Sequence, residues 1–297
     1  MELVYALALV PALLWGFSPI LSKRGMAGGG SSLQASLIVV MVDTLLYWTA
    51  LMAIQGSDLG AGITLGAAAL FLGAGVIGTA LGRLAVFTGV DRVGASINSA
   101  VISTRPLFAS LLAVLVLGEA VTIVTGGGIV VLVIGLAVLG LSRGGDLAGW
   151  RPSELLFPLA AAVLFGAGNV ARKWGLDAFS DVTLLEAVAL NETGALVALA
   201  AYGAVANRRD IFDAPRQTYG YFAMSGTLTA VALLSLFAAL RMGRVVVVDP
   251  LSATAPLFTA LFAALLLRDL ERVTRRVVLG AVLIVIGVTL IVVNPGF

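Results

Sequence analysis

The stretch TRPLFASLLAVLVL, residues 104–117, recurs as TAPLFTALFAALLL at residues 254–267. Eight of the fourteen aligned positions are identical, at a constant offset of 150 residues. Each copy places a proline, Pro106 or Pro256, in an apolar run, and the first copy adds Arg105. Proline interrupts helix hydrogen bonding, and a central arginine costs at least about 2.5 to 3.5 kcal/mol in a membrane. The two copies therefore indicate a duplicated chain with a helix break in each half.

The composition is that of an integral membrane protein. Of the 297 residues, 60% are hydrophobic and 11% are charged, whereas charged residues make up about a quarter of a soluble domain. The chain has no cysteine and no histidine, which excludes disulfides, thiolate chemistry and imidazole metal sites. We expect no metal site, no cofactor and no nucleic-acid partner. The expected partners are the lipid bilayer and a small-molecule substrate, with the protein as a monomer or a homodimer.

Ten apolar runs have the length of about 20 residues that a membrane-spanning helix needs. The fold class expected is therefore an all-α membrane protein with ten transmembrane helices. The first run has neither a basic region before it nor an Ala-x-Ala site after it, so we expect a retained span rather than a signal peptide. The runs lie at 3–22, 33–54, 63–90, 94–118, 122–141, 154–173, 181–206, 218–240, 244–267 and 274–293.

The duplication extends over the whole chain. Residues of the first span match the sixth at the same offset of 150, as in the pairs Leu14/Leu164, Gly16/Gly166, Lys23/Lys173 and Gly25/Gly175. Each half, residues 1–147 and 148–297, then holds five spans. Because five is odd, the second half enters the membrane from the opposite side, and the repeats are inverted. Inverted repeats with interrupted spans at matching places are typical of secondary transporters, although a duplicated scaffold without a conduit is an alternative.

The chain resembles the EamA family of the drug/metabolite transporter superfamily. The resemblance rests on Trp15-Gly16 and Lys23, and on the block from Pro106-Leu107-Phe108 to Leu117-Gly118-Glu119 with its second copy. It implies a carrier of two inverted five-helix halves that works by alternating access, often as a metabolite exporter. We expect a multi-pass protein of the plasma membrane.

The orientation has two alternatives. Twelve basic residues lie in the loops after odd-numbered spans: Lys23, Arg24, Arg92, Arg143, Arg151, Arg208, Arg209, Arg216, Arg268, Arg272, Arg275 and Arg276. Four lie on the other side: Arg172, Lys173, Arg241 and Arg244. The positive-inside rule then places both termini outside, and we give this distribution the greater weight. The family commonly has its N-terminus inside, with basic residues between spans two and three, where this chain has only Asp58.

Polar residues within the apolar runs are the candidate site. Arg105 lies near the middle of its span, so we expect it to hold an anionic group of the substrate, with Arg83 as a second cation. The other candidate substrate-binding residues are Asn98, Trp15, Asn169 and Tyr47. With no histidine present, a proton carrier has to be a carboxylate, and we expect Asp43 and Glu192 in that role. These carboxylates could instead form salt bridges with the arginines.

Helix breaks are expected at Pro106, at Pro256 and at Asp249, which precedes Pro250. The favoured interpretation makes Asp249 the N-cap of the ninth span. The alternative is a break whose helix N-terminus faces the substrate.

Secondary active transport of a small polar metabolite, as an exporter and with proton coupling, is the function we expect first. An uncoupled channel or facilitator, or a lipid-intermediate flippase, is the alternative on the same fold. A membrane enzyme is a weaker alternative, because the chain has no metal-ligand cluster, no nucleophile beside a histidine and no glycine-rich phosphate loop. No catalytic residue is therefore expected.

Overall fold

The structure is a computed structural model that describes residues 2–56, 60, 62–141, 151–206, 214–266 and 275–293. Its regular elements are helices, and ten of its spans are long and apolar enough to cross a membrane. The predicted all-α fold class with ten spans is confirmed. The predicted boundary between residues 147 and 148 lies outside the described residues, as do Asp58, Arg143, Arg208, Arg209, Arg268 and Arg272.

Seven spans are continuous α-helices and three are built from shorter pieces. The continuous spans are α1 (Glu2–Ala27), α2 (Ser32–Gln55), α7 (Ile123–Leu141), α8 (Leu156–Ala178, after a 3₁₀ turn at Pro152–Leu155), α9 (Leu184–Val205), α10 (Arg216–Met242) and α13 (Arg275–Val293). The third span joins α3 (Leu65–Gly75), a π-helical segment (Val76–Leu81) and α4 (Gly82–Val93). The fourth joins α5 (Ala95–Ile102) to α6 (Arg105–Leu117), and the ninth joins α11 (Val245–Ser252) to α12 (Ala255–Leu266).

The fourth and ninth spans break at matching places. Each break falls two residues before the repeated proline, because proline has no N–H and its ring excludes the carbonyl one turn back. The break is closed the same way in both spans: Thr104 Oγ1 donates to the carbonyl of Val101 at 2.6 Å, and Thr254 Oγ1 donates to the carbonyl of Leu251 at 2.7 Å. One carbonyl group at each break, that of Val101 or Leu251, thus accepts a bond from a threonine side chain.

Glycines bring the central helices into backbone contact. A Cβ atom on Gly78 would lie 2.7 Å from the Cα atom of Gly168, and one on Gly82 would lie 2.7 Å from the ring of Phe165. A Cβ atom on Gly75 would overlap the carbonyl oxygen of Asn191. These contacts fix the third span against α8 and α9, where most of the polar residues lie.

The buried core is densest around the first half of the ninth span. Val245, Val246, Val247 and Val248 are all 2% exposed or less. They belong to an apolar cluster that also contains residues of α3, α6, α8, α9 and α10.

Candidate functional site

The bundle contains a cavity of about 810 Å³ between the helices of both halves of the chain. One end is lined by Lys23, Ser32 and Asp91, which are exposed residues near the ends of α1, α2 and α4. The deep end is lined by buried or half-buried Arg105, Asn169, Arg172 and Glu192. The cavity therefore opens on the side of the loops after the first and third spans. We call this the mouth side, and the other the sealed side.

Arg105 forms an ion pair with Asp249 across the two broken spans. Its Nε atom lies 3.3 Å from Asp249 Oδ2, and the side chains are 15% and 0% exposed. Its Nη2 atom also donates to the carbonyl of Asp249 at 3.2 Å and to Ser252 Oγ at 3.1 Å. Arg105 was expected to pair, if at all, with Asp43 or Glu192, and that expectation is wrong. Its guanidinium is held by α11 instead.

Asp249 is not the N-cap of the ninth span. Helix α11 starts four residues earlier, with Arg244 at the N-cap position, and Asp249 and Pro250 lie inside it. The N-cap prediction is therefore wrong. Pro250 is accommodated because it lies near the end of a helix of only eight residues. The break follows at Ala253 and Thr254.

Asn169 and Arg172 continue the polar network from Asp249. Asn169 Nδ2 donates to Asp249 Oδ1 at 2.5 Å, and its Oδ1 accepts from Arg172 Nη1 at 2.7 Å. The same guanidinium donates to Asn191 Oδ1 at 3.0 Å and to Thr79 Oγ1 at 2.8 Å. It also lies over the ring of Phe237, with its Cζ atom 5.7 Å from the ring centre. Every nitrogen of Arg172 thus has a protein partner.

Arg172 is the residue that the sequence analysis missed, because it was counted as a loop charge. It is 5% exposed and lies inside α8. The spacing of three residues from Asn169 places the two side chains on the same helix face, and that spacing could have identified it. Without Arg172, the loops after the even-numbered spans hold three of the counted basic residues rather than four.

Glu192 lies at the other end of the network. Its Oε1 atom accepts from Asn191 Nδ2 at 2.8 Å and from Thr79 Oγ1 at 3.3 Å. Its Oε2 atom has no hydrogen-bond partner among the described residues. The side chain is 1% exposed and lines the cavity. Glu192 therefore presents one uncommitted oxygen at the deep end.

Arg83 is the one arginine among the described cavity-lining residues that has no fixed partner. It lines the cavity and is half-buried. Within the described part of the chain it has no salt bridge, whereas Arg105 has one and Arg172 is fully hydrogen-bonded. Arg83 and Glu192 line the same cavity. A guanidinium of this kind has donors available for a bound anion.

Asp43 and Tyr47 lie behind the cavity wall in α2. Asp43 is 0% exposed, and neither carboxyl oxygen has a hydrogen-bond partner among the described residues. Tyr47 is 4% exposed, and its hydroxyl donates to the carbonyl of Ala230 at 2.5 Å. Neither residue lines the cavity. Tyr47 thereby ties α2 to α10.

Trp15 and Asn98 differ in their placement. Trp15 is half-buried and lines the cavity. Asn98 is 3% exposed and does not line it, and its Oδ1 atom occupies the space beside Gly89. Pro106 and Pro256 lie in the first turns of α6 and α12. The structure thus brings Trp15, Arg83, Arg105, Asn169 and Glu192 to one cavity and leaves Asn98 and Tyr47 outside it.

A row of hydroxyl groups forms the wall between α1 and α10. Ser225 Oγ lies 2.6 Å from Ser18 Oγ and 3.0 Å from Ser22 Oγ, and Thr229 Oγ1 lies 3.5 Å from Ser18 Oγ. All four side chains line the cavity. The sequence analysis did not single them out, because hydroxyl groups are common in membrane helices. Among the described residues, no group of three or more acidic, histidine or cysteine residues could hold a metal ion.

Comparisons with known proteins agree on the kind of molecule. The sequence model of the EamA-like transporter family matches residues 3–141 and 152–293. A protein of Clostridium kluyveri named an uncharacterized transporter is 30% identical over 129 residues, which cover 43% of this chain and 40% of that protein. A crystal structure with no functional description superimposes with a TM-score of 0.77 at 17% identity, covering 98% of this chain and 96% of that one. This last likeness concerns the fold alone.

Proposed function

We propose a secondary active transport function on the premise that this chain belongs to the EamA-like transporter family, whose model matches nearly its whole length. The chain is a membrane transporter with ten spans. We propose that it exports a small polar metabolite with an anionic group from the cell, by alternating access and with proton coupling. The membrane proposed is the plasma membrane, where an exporter acts.

One observation carries this proposal: the cavity has charged side chains in a largely apolar wall and opens on one side only. Its mouth lies at Lys23, Ser32 and Asp91, while the far side is filled by Val245 to Val248. A channel needs a path open at both ends, whereas a carrier exposes its site to one side at a time. A volume of about 810 Å³ is within the range of small-molecule sites.

The cavity also supports the proposed inverted repeat. Several positions that lie 150 residues apart line it together. The pairs are Trp15/Phe165, Pro19/Asn169, Ser22/Arg172 and Thr79/Thr229. Corresponding residues face one cavity when two similar halves are related by an axis through it, as in transporters with inverted repeats. If the two halves exchanged conformations, the cavity would close on its present side and open on the other.

Arg83 is proposed as the principal anchor for the substrate anion. The sequence favoured Arg105, but that guanidinium is engaged by Asp249 and Ser252. Arg83 has donors to offer and lies in the middle of the cavity wall, between the mouth and Glu192. Arg105 then keeps the two broken spans in register below the substrate. Trp15 and the hydroxyl row would contact the rest of the ligand.

Asp43 and Glu192 are proposed as the proton carriers. An ionised carboxylate at Asp43 would be buried without a hydrogen bond, which is costly, so a bound proton relieves that cost. Arg83 and Glu192 line the same cavity, so an ionised Glu192 and a substrate anion would compete for one guanidinium. Protonation of Glu192 would free Arg83 for the anion. Anion and proton would then bind together and leave the cell together.

A thermal-shift screen of metabolites on the purified protein tests the anchor. We expect small anions to raise the melting temperature, and Arg83→Ala to lower their affinity by at least about tenfold, because charged hydrogen bonds are lost. Arg83→Lys should recover only part of it, since an ammonium group cannot make the same planar contacts. Lys23→Ala, at the cavity mouth, is the matched control and should bind nearly as the unaltered protein does. Equal affinity in Arg83→Ala and Lys23→Ala would refute the anchor.

A further inference from the structure

Glu119 holds the start of α11 from a different part of the chain. Its Oε1 atom accepts from the backbone N–H of Val245 at 2.8 Å, and its Oε2 atom accepts from the N–H of Val246 at 2.9 Å. In addition, the side chain of Arg244 donates to the carbonyl of Ala120. Two short loops, after α6 and after α10, are therefore tied together. Glu119 itself is half-buried.

These bonds satisfy two N–H groups at the N-terminus of α11. A helix leaves its first four N–H groups without the usual partner inside the helix. Here the N–H group of Val247 is bonded to the carbonyl of Arg244 at 3.1 Å, and that of Val248 makes the first regular helix bond to the same carbonyl at 2.9 Å. The N–H groups of Val245 and Val246 are the pair that Glu119 accepts. A helix of eight residues is too short to be stable alone, so its position depends on contacts such as this one.

Helix α11 is also the element that closes the sealed side. Its eight residues are all buried, from Val245 to Ser252. Spans alternate in direction, so the loops after the fourth and eighth spans, which contain Glu119 and Arg244, lie opposite the cavity mouth. One turn beyond Val245, the same helix carries Asp249, which holds Arg105 and Asn169. The carboxylate at the sealed surface is thus connected to the deep end of the cavity through a single helical turn.

The matching helix in the first half is packed differently. Helix α5 lies 150 residues before α11 and belongs to the mouth side. Its residues Ile97, Ser99, Val101 and Ile102 are only half-buried. The two short helices therefore differ in burial. The fully buried α11 lies on the closed side, and the less buried α5 lies on the open side.

We propose that Glu119 is a positioning residue that keeps the sealed side closed by clamping α11, and that its release lets α11 and Asp249 move when the cavity opens to that side. This inference rests on the alternating access proposed above. It assigns a gating role to a side chain that contacts neither the substrate nor the proton carriers. A carboxylate suits the role because its two oxygens engage two adjacent N–H groups at once.

Site-directed alkylation tests the clamp directly, because the natural chain contains no cysteine. Three single-cysteine reporters are placed in the full chain: Val247→Cys in the closed region, Ser22→Cys in the cavity, and Leu132→Cys in a buried helix contact elsewhere. Each is combined with Glu119→Ala, Glu119→Gln or Asp177→Asn, and the rate of reaction with a water-soluble maleimide is measured. Asp177, which pairs with Lys173 in the last turns of α8, is a carboxylate on the same side as Glu119 and is the matched control.

We expect Glu119→Ala to speed the reaction at Val247→Cys by at least about tenfold, because two charged hydrogen bonds are lost. Glu119→Gln, which retains one acceptor oxygen, should give a smaller rise, and Asp177→Asn none. The reaction at Ser22→Cys should slow in Glu119→Ala, and Leu132→Cys should stay unreactive in every background. An unchanged rate at Val247→Cys would overturn the clamp, as would equal gains at Val247→Cys and Leu132→Cys, which indicate general loosening. A gain at Val247→Cys with Ser22→Cys still fully reactive would keep the clamp and refute alternating access.

Discussion

At the scale of single residues, most of the buried charges form one connected network, and two charged residues lie outside it. Arg105, Asp249, Asn169 and Arg172 satisfy one another, and Glu192 joins them through Asn191 and Thr79. Such pairing is required where charges are far from water. Arg83 and Asp43 lie outside the network, with no salt bridge or hydrogen bond among the described residues. The proposed anion site is Arg83, and the proposed proton carriers are Asp43 and Glu192, whose Oε2 atom the network leaves without a partner.

The Arg105–Asp249 pair should stabilise the fold. Removing one partner alone should lower the free energy of unfolding more than removing both. Arg105→Ala leaves a buried carboxylate without its counter-charge, so we expect a loss of about 3 to 5 kcal/mol in the free energy of unfolding. The double variant Arg105→Ala/Asp249→Asn should recover much of it, and Arg105→Ala/Asp43→Asn should not. Denaturation in detergent measures the three variants. Recovery with Asp43→Asn in place of Asp249→Asn would contradict the pairing.

Asp43 should be dispensable for the stability of the fold but required for the coupling of transport to a pH gradient. Because neither carboxyl oxygen has a partner among the described residues, Asp43→Asn removes no hydrogen bond there and should change the melting temperature little. Transport driven by a pH gradient should be lost, whereas exchange of substrate across the membrane should persist. Flux into proteoliposomes with and without a pH gradient distinguishes the two activities. Full pH-driven transport in Asp43→Asn, Glu192→Gln and their double variant would exclude both carboxylates as proton carriers.

The sequence predicted which charged residues are buried, but it did not predict their partners. Depth within an apolar run identified Arg105, Arg83, Asp43 and Glu192 as buried charges. The partner of Arg105 could not be read from spacing, because Asp249 lies 144 residues away on another span. Arg172 was counted as a loop residue because the apolar run ends near it, whereas α8 continues to Ala178. Which charges pair depends on how the helices pack, so the partners cannot be predicted from the sequence of a single span.

At the scale of elements, the interrupted spans give the bundle its site. The repeated prolines predicted breaks in the fourth and ninth spans, and the chain direction changes there at Thr104 and Thr254. The π-helical segment Val76–Leu81 was not predicted, because one extra residue per turn has no signature in hydrophobic periodicity. It carries Thr79, which bonds both Arg172 and Glu192. Such insertions in helices are frequent at functional sites.

Two glycines of α3 should respond in opposite ways to the same substitution. A Cβ atom on Gly75 would overlap the carbonyl of Asn191, whereas one on Gly73 would meet nothing within 4 Å. Gly75→Ala should therefore cost about 1 to 3 kcal/mol or more through overpacking, and should displace the neighbouring Glu192. Gly73→Ala should be neutral or stabilising by up to about 1 kcal/mol, because alanine favours the helix. Melting temperatures of the two variants test the close contact, and equal losses would disprove it.

At the scale of the whole molecule, orientation determines which compartment the cavity faces. The mouth lies on the side of the loops after odd-numbered spans, where twelve of the counted basic residues lie. The positive-inside rule makes that side cytoplasmic, so the cavity described here would be open to the cytoplasm. The family habit would make it open to the outside.

A reporter that fluoresces only in the cytoplasm, fused after Phe297, decides between the two orientations. The loop charges predict no fluorescence, because both termini would lie outside. The same reporter fused after a truncation in the loop that follows α7 should fluoresce, and serves as the positive control. A bright C-terminal fusion in a protein that still transports would mean that the family orientation applies.

The central claim is that this bundle carries its substrate through a cavity exposed to one side at a time. Counterflow in proteoliposomes tests it most directly, with the anion that gives the largest thermal shift as the labelled substrate. Uptake of label should saturate with concentration and accelerate when unlabelled substrate is preloaded inside, and Arg83→Ala should abolish both effects while Lys23→Ala keeps them. Uptake that rises linearly with concentration and ignores the preloaded substrate would contradict the account, because it is the behaviour of a channel.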